Sequence, residues 1–266
     1  DFCLSRGLGD VYKRQMKMEN LNPFESVKPC ARRQMNLFYL IDCSGSMSGN
    51  KIESINQVMP DIMRTIADID ESNKDNAQIK VACLEFSSGC QWKYPQPVLA
   101  NDFKWQDIQA GGVTDLGAAF KELRAHMSRH SDLASDTGHY APAVILLSDG
   151  RPTDAWKSAL MDLQSNKWFQ VATKVAIAVG DDADKTVLNE FADNQDELVI
   201  TVHNLDALKS VIRLVSCTVS KIGSNSTSVG GKTKSDMISE TVDENVKETP
   251  GAENVNHQKP QPDNWD

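Results

Sequence analysis

At 266 residues and 29.4 kDa, the chain is long enough for one sizeable domain or two small ones. A net charge of −9 and a pI near 5.1 argue against a nucleic-acid binder, which needs a basic face to neutralise phosphates. There is no run of about 18 apolar residues to read as a membrane span, and the first residues lack the basic-then-apolar pattern of a secretory signal. The six cysteines (Cys3, Cys30, Cys43, Cys83, Cys90 and Cys217) are scattered, without a CxxC pair. Cys43 and Cys83 fall in or beside apolar runs, where a free thiol behaves as a small apolar group. Reduced cysteines and a cytoplasmic setting are therefore expected, with a Cys83–Cys90 hairpin disulfide as the weaker alternative.

Asp10-Val11-Tyr12-Lys13-Arg14-Gln15 reads as the in-frame translation of a sequencing-library adapter, so residues 1–15 are set aside as an artefact and 16–34 as an N-terminal extension. A foldable domain is expected over residues 35–221. Residues 35–41 form a continuous apolar run ending at Asp42, as suits a central strand buried on both faces. Residues 51–69 place Ile52, Ile55, Met59, Ile62, Met63, Ile66 and Ile69 at steps of three and four, one apolar helical stripe. Residues 79–86 alternate as a strand does. Residues 92–99 contain Pro95 and Pro97, which confine them to a sheet edge.

A second amphipathic helix is expected over 115–130, a buried strand over 143–147 and a helix over 156–168. A strand over 171–179, a helix over 185–192, a strand over 198–202 and a helix over 205–219 complete the series. Such alternation predicts an α/β, Rossmann-like, doubly wound and mostly parallel sheet with one antiparallel edge strand and helices on both faces. Residues 222–266 have scarcely any large apolar side chains, so they read as a disordered acidic tail.

Three short strings carry the chemistry. Asp42-Cys43-Ser44-Gly45-Ser46 and Leu147-Ser148-Asp149-Gly150 each follow an apolar strand-like run, and Gly112-Val113-Thr114-Asp115 lies between them. Asp42, Ser44, Ser46, Thr114 and Asp149 supply small oxygen ligands suited to Mg²⁺, or to Mn²⁺ in its place. Two carboxylates and three hydroxyls leave a divalent cation electrophilic, with a position open to water or an outside carboxylate. In open α/β sheets, ligands bind beyond the carboxyl ends of strands where strand order reverses, and Asp42 and Asp149 both sit just past strand ends.

Over residues 35–221 this pattern resembles the metal-ion-dependent adhesion site of von Willebrand factor A (VWA) domains, whose Asp-x-Ser-x-Ser, later Thr and Asp-Gly match Asp42, Ser44, Ser46, Thr114 and Asp149 without a gap. The resemblance implies that the strands carrying Asp42 and Asp149 are neighbours. It also implies that the hydroxyls meet the metal directly or through water, that the carboxylates often act through water, and that an acidic residue of a partner protein fills the last position. Residues 146–154 and 175–184, with the helix over 205–220, look more narrowly like bacterial TerY-like proteins, intracellular VWA proteins of tellurite-resistance and stress gene clusters, often beside kinase and phosphatase partners.

The implied function is a metal-dependent protein-interaction module, a cytoplasmic scaffold or regulator, and not an enzyme. One alternative is a Mg²⁺-dependent phosphohydrolase of the haloacid-dehalogenase type, but Ser44 stands where such an enzyme needs a second Asp for proton transfer. No Ser-His-Asp elbow or P-loop is present. The other alternative is a surface adhesin. Simpler readings account for the remaining motifs: Asp115 as a helix cap, His126 and His130 as a solvated helix end, Asp181, Asp182 and Asp184 as the charged start of a helix, and the tryptophans Trp92, Trp105, Trp156 and Trp168 as packing, with Trp156 a candidate for the rim of the ligand face.

Overall fold

Ten residues of unbroken strand open the fold: β1, Arg33–Asp42, buried from Met35 onward. In the computed structural model, the described residues are 32–72, 77–128, 130–133, 137–181, 183–224 and 232–254, all within Arg32–Asp266. The expected artefact at 1–15 and most of the expected extension to 34 lie outside them.

The elements then follow as α1 (Asn50–Ser72), β2 (Ala77–Ser87), β3 (Gly89–Trp92), β4 (Val98–Leu99), α2 (Leu116–His126) and β5 (Ala143–Ser148). After these come α3 (Trp156–Gln164), α4 (Lys167–Val171), β6 (Thr173–Val179), α5 (Lys185–Phe191), β7 (Val199–Val202), α6 (Leu205–Ser224), α7 (Lys234–Lys247) and β8 (Ala252–Asn254). The strands make one sheet in the order β3-β2-β1-β5-β6-β7-β8, with β4 also on β2. All pairings from β2 across to β7 are parallel; β3, β4 and β8 are antiparallel.

Strand alternation divides the core into two layers. Leu37, Tyr39 and Ile41 of β1 face a cluster with the stripe Ile55, Met59, Ile62 and Ile66 of α1 and with Val211, Ile212 and Val215 of α6. Phe38 and Leu40 face the opposite cluster, built from Leu116, Phe120 and Leu123 of α2, Leu160 of α3, Phe169 of α4 and Leu188 and Phe191 of α5. Helices on both faces of a mostly parallel sheet are the expected doubly wound arrangement. The antiparallel edge is present too, split into β3 and β4 around the Pro95 and Pro97 segment, and β8 makes the opposite edge antiparallel as well.

Two expected elements differ. The helix over 156–168 is broken at Ser165-Asn166, because the Asn166 side chain accepts from the backbone N–H groups of Trp168 and Phe169 and starts a new helix, α4. The tail expected to be disordered from 222 onward is structured in part: α6 runs to Ser224, and residues 232–254 carry α7 and β8. Its polar composition hid a narrow stripe, Ile238, Val242 and Val246, four residues apart and all buried in the α6 layer. A capping box between Thr233 and Asp236 starts α7, Lys234 Nζ donates to Gly223 O at 2.7 Å, and β8 pairs with β7. Residues 225–231 and 255–266 of that expected tail lie outside the described ones.

Candidate metal centre

The chain runs from β1 outward to β2 and returns to β5 on the other side of β1, so strand order reverses between β1 and β5. Ile41 pairs with Leu147, which sets Asp42 beside Ser148 and brings Asp149 to the same carboxyl-end crevice. The adjacency that the resemblance implied is therefore present in the register.

Three loops converge there, tied by backbone hydrogen bonds. Gly111 N donates to Cys43 O at 2.7 Å and Gly45 N to Gly112 O at 3.1 Å, joining the Thr114 loop to the Asp42–Ser46 loop. Thr153 N donates to Thr114 O at 2.8 Å and Thr114 N to Thr153 Oγ1 at 3.2 Å, joining the Asp149 loop to Thr114. Two glycines permit the close packing. Gly112 has φ +82° and a Cβ there would stand 2.5 Å from Ser88 Oγ; Gly150 has φ +67° and a Cβ there would stand 2.5 Å from Asp184 O.

The five residues predicted as metal ligands all lie on these loops. Asp42, Ser44, Thr114 and Asp149 are buried, and Ser46 is exposed. Ser44 Oγ and Ser46 Oγ are 3.0 Å apart, about the separation of neighbouring ligands in an octahedron with metal–oxygen distances of roughly 2.1 Å. Asp42 Oδ1 accepts from Ser44 N at 2.8 Å and Asp42 Oδ2 from Ser148 Oγ at 2.6 Å, while Gly150 N donates to Ser148 Oγ at 2.8 Å. Burial pushes the Asp42 carboxyl above the usual carboxylate range; its hydrogen bonds with Ser148 and Ser44 oppose the rise, and the charge of Asp149 adds to it.

Asp149 Oδ1 is buried and has no hydrogen-bond partner among the described residues. An unpaired carboxylate oxygen beside a second buried carboxylate is costly, and a small hard cation relieves both penalties at once. The donor set thus fits Mg²⁺ or a similar ion on an observation independent of the motif. Cys43, between the ligand candidates, is not one of them. Its thiol donates to Ile41 O, and burial pushes its pKa up to about 12, so it stays protonated.

A family comparison agrees with this geometry: residues 36–214 match the model of the von Willebrand factor type A domain. The chain belongs to the VWA family. No curated protein matches the sequence. Solved structures with the same fold include a von Willebrand factor type A protein from Catenulispora acidiphila (TM-score 0.52, 18% identity, covering 71% of this chain and 43% of that one) and the ArnB paralog VWA2 from Sulfolobus acidocaldarius (0.51, 19%, 69% and 45%). A third is proximal thread matrix protein 1 from the mussel byssus, solved with zinc in its MIDAS motif (0.53, 21%, 72% and 49%). This chain spans less than half the length of each of these neighbours.

Several residues that shape this VWA centre were not legible from sequence. Ser148 holds Asp42, but only the β1–β5 register makes them partners. Asp115 stands at the α2 N-cap position, yet its side chain accepts from Gly89 N, and the first-turn N–H groups of Gly117 and Ala118 donate instead to Asp154. Asp184 does cap α5, accepting from Thr186 N, whereas Asp181 pairs with His203, and Asp182 lies outside the described residues. His126 is not a solvated helix end: its Nδ1 is 2.7 Å from Asp132 Oδ2 and its ring packs at a tilt against Trp92, with centroids 4.4 Å apart, while His130 is exposed. Trp156 is half-buried against the α2–α5 core.

Proposed function

We propose that this VWA domain is a metal-dependent protein-interaction module in which Asp42, Ser44, Ser46, Thr114 and Asp149 hold Mg²⁺, with Mn²⁺ able to take its place, and an acidic residue of a partner protein completes the coordination. The observation that carries the reading is the buried Asp149 Oδ1, without a partner among the described residues, in the crevice that also holds the Asp42 carboxylate. A bound Mg²⁺ supplies charge neutralisation and an electrophilic position facing outward. Ser46 marks the exposed side of the site, and Val113, next to Thr114, is 48% exposed and offers a partner an apolar contact.

Binding is favoured over phosphoester hydrolysis. A nucleophilic Asp42 would need an oxygen open to substrate, but this residue is fully buried with both oxygens accepting hydrogen bonds. The thiols of Cys43, Cys83, Cys90 and Cys217 are free, which supports a reducing, cytoplasmic setting over the surface-adhesin alternative. Within that setting the protein acts as a scaffold or regulator in a bacterial stress system of the TerY type, docking an acidic residue of a partner such as a kinase or phosphatase.

Affinity capture from cells expressing the protein, run in Mg²⁺ and in EDTA with Asp149→Ala alongside, tests the reading. A partner retained only with metal and intact Asp149 is the expected result. A partner indifferent to both, with no calorimetric Mg²⁺ binding by the wild type, overturns it.

A further inference from the structure

A cavity of about 380 Å³ opens beside the metal loops, lined by Cys43, Glu85, Gln91, Lys93, Asp107 and Gln109 among others. It shares a wall with the candidate metal centre, because Cys43 is the residue between Asp42 and Ser44 and its carbonyl accepts from Gly111 N. Glu85 and Gln91 face each other across the β2–β3 hairpin, Lys93 follows β3, and Asp107 and Gln109 come from the long connector between β4 and α2.

The charges of this cavity do not balance. Lys93 Nζ lies 2.8 Å from Glu85 Oε2, with the lysine side chain only 9% exposed, so the pair is fixed and mutually neutralised. Asp107 is exposed and has no ion pair among the described residues. The cavity is thus left with one uncompensated negative charge, at Asp107, among polar walls in which Gln91 and Gln109 offer side-chain carbonyl oxygens as acceptors. A guanidinium carries five N–H donors and no acceptor, which suits such a wall better than a carboxylate or an apolar side chain.

We propose that this cavity receives an arginine side chain of the docking partner, beside the acidic residue that reaches the metal; the second half of that statement rests on the metal-docking function above. The pairing gives the site a specificity element that a lone acidic residue lacks, since the carboxylate reads the cation and the arginine reads Asp107.

Two measurements test it. The first uses EDTA, and so does not depend on metal: propylguanidinium and its neutral isostere propylurea are titrated separately while the backbone amides of Gln91 and Gln109 are followed by NMR. Saturable shifts at these amides, about fivefold tighter for the guanidinium, are expected, with the difference mostly lost in Asp107→Asn. Equal affinity for the two probes, or no saturable shift at either amide, overturns the proposal. The second compares blocked Asp-Ala-Arg and Asp-Ala-Gln peptides in Mg²⁺ and in EDTA. Tighter binding of the arginine peptide in Mg²⁺ supports the paired site, and equal binding of the two in Mg²⁺ refutes it. Peptides that bind no better in Mg²⁺ than in EDTA would sink the metal-docking function instead, leaving the guanidinium cavity to stand or fall on the first measurement.

Discussion

His126 and Asp132 show how single residues here are governed by partners distant in sequence or brought close by a turn. The histidine is raised above its ordinary value, first by its hydrogen bond to Asp132, whose charge and that of Glu122 add to the rise, while burial opposes it. Trp92 packs at a tilt against the ring, and Asp132 O accepts from Asn36 Nδ2 at 2.8 Å, so the pair fastens the end of α2 to β1. A raised folded-state pKa stabilises most where the histidine is charged in both states. The contribution is complete below the ordinary value near 6.5 and fades as pH climbs through the raised one. Urea denaturation across that window should show wild-type stability falling with rising pH, with His126→Asn flattening the slope; parallel curves for the two proteins would remove the clasp from the stability account.

At the scale of elements, α7 and β8 carry the clearest lesson. Ile238 is 1% exposed and belongs to the same core layer as α1 and α6. Truncation of a fully buried isoleucine removes transfer energy and leaves a cavity, so Ile238→Ala is expected to cost about 2–4 kcal/mol in urea unfolding. A loss below about 0.5 kcal/mol, the range of an ordinary surface substitution, would mean that α7 is only loosely attached. The Thr233–Asp236 capping box starts α7, but the three buried apolar residues that follow it were too few to outweigh the polar composition of the segment. Their value depends on the face that α6 presents, and that face exists only once the sheet has formed. The break between α3 and α4 has the opposite character. It is a local competition in which one asparagine side chain replaces helical hydrogen bonds, and it was masked by apolar periodicity on either side.

At the scale of the whole molecule, the proposed metal site ties ion binding to folding. A cation that binds the folded state alone raises stability by RT ln(1 + [L]/Kd), about 2.7 kcal/mol at a hundredfold excess over Kd. The urea midpoint of the wild type should therefore be higher in Mg²⁺ than in EDTA. Asp149→Ala should lose that increment while its metal-free midpoint stays level or rises, because the carboxylate oxygen it removes is buried with no partner among the described residues. A variant that still gains stability from Mg²⁺ would show that the ion binds elsewhere.

The sequence by itself determined the α/β class and the alternation of buried strands and amphipathic helices, and it singled out five oxygen-bearing residues for the proposed metal site, because burial and hard-cation chemistry act through residue type and short spacing. It could not show that Ser148 holds Asp42, that Asp154 rather than Asp115 caps α2, that Asp107 stands uncompensated beside a neutralised Glu85–Lys93 pair, or that a polar segment closes the sheet at β8. Each of these depends on which strands are neighbours and in what register, and register is settled only when the two core layers close together over the sheet.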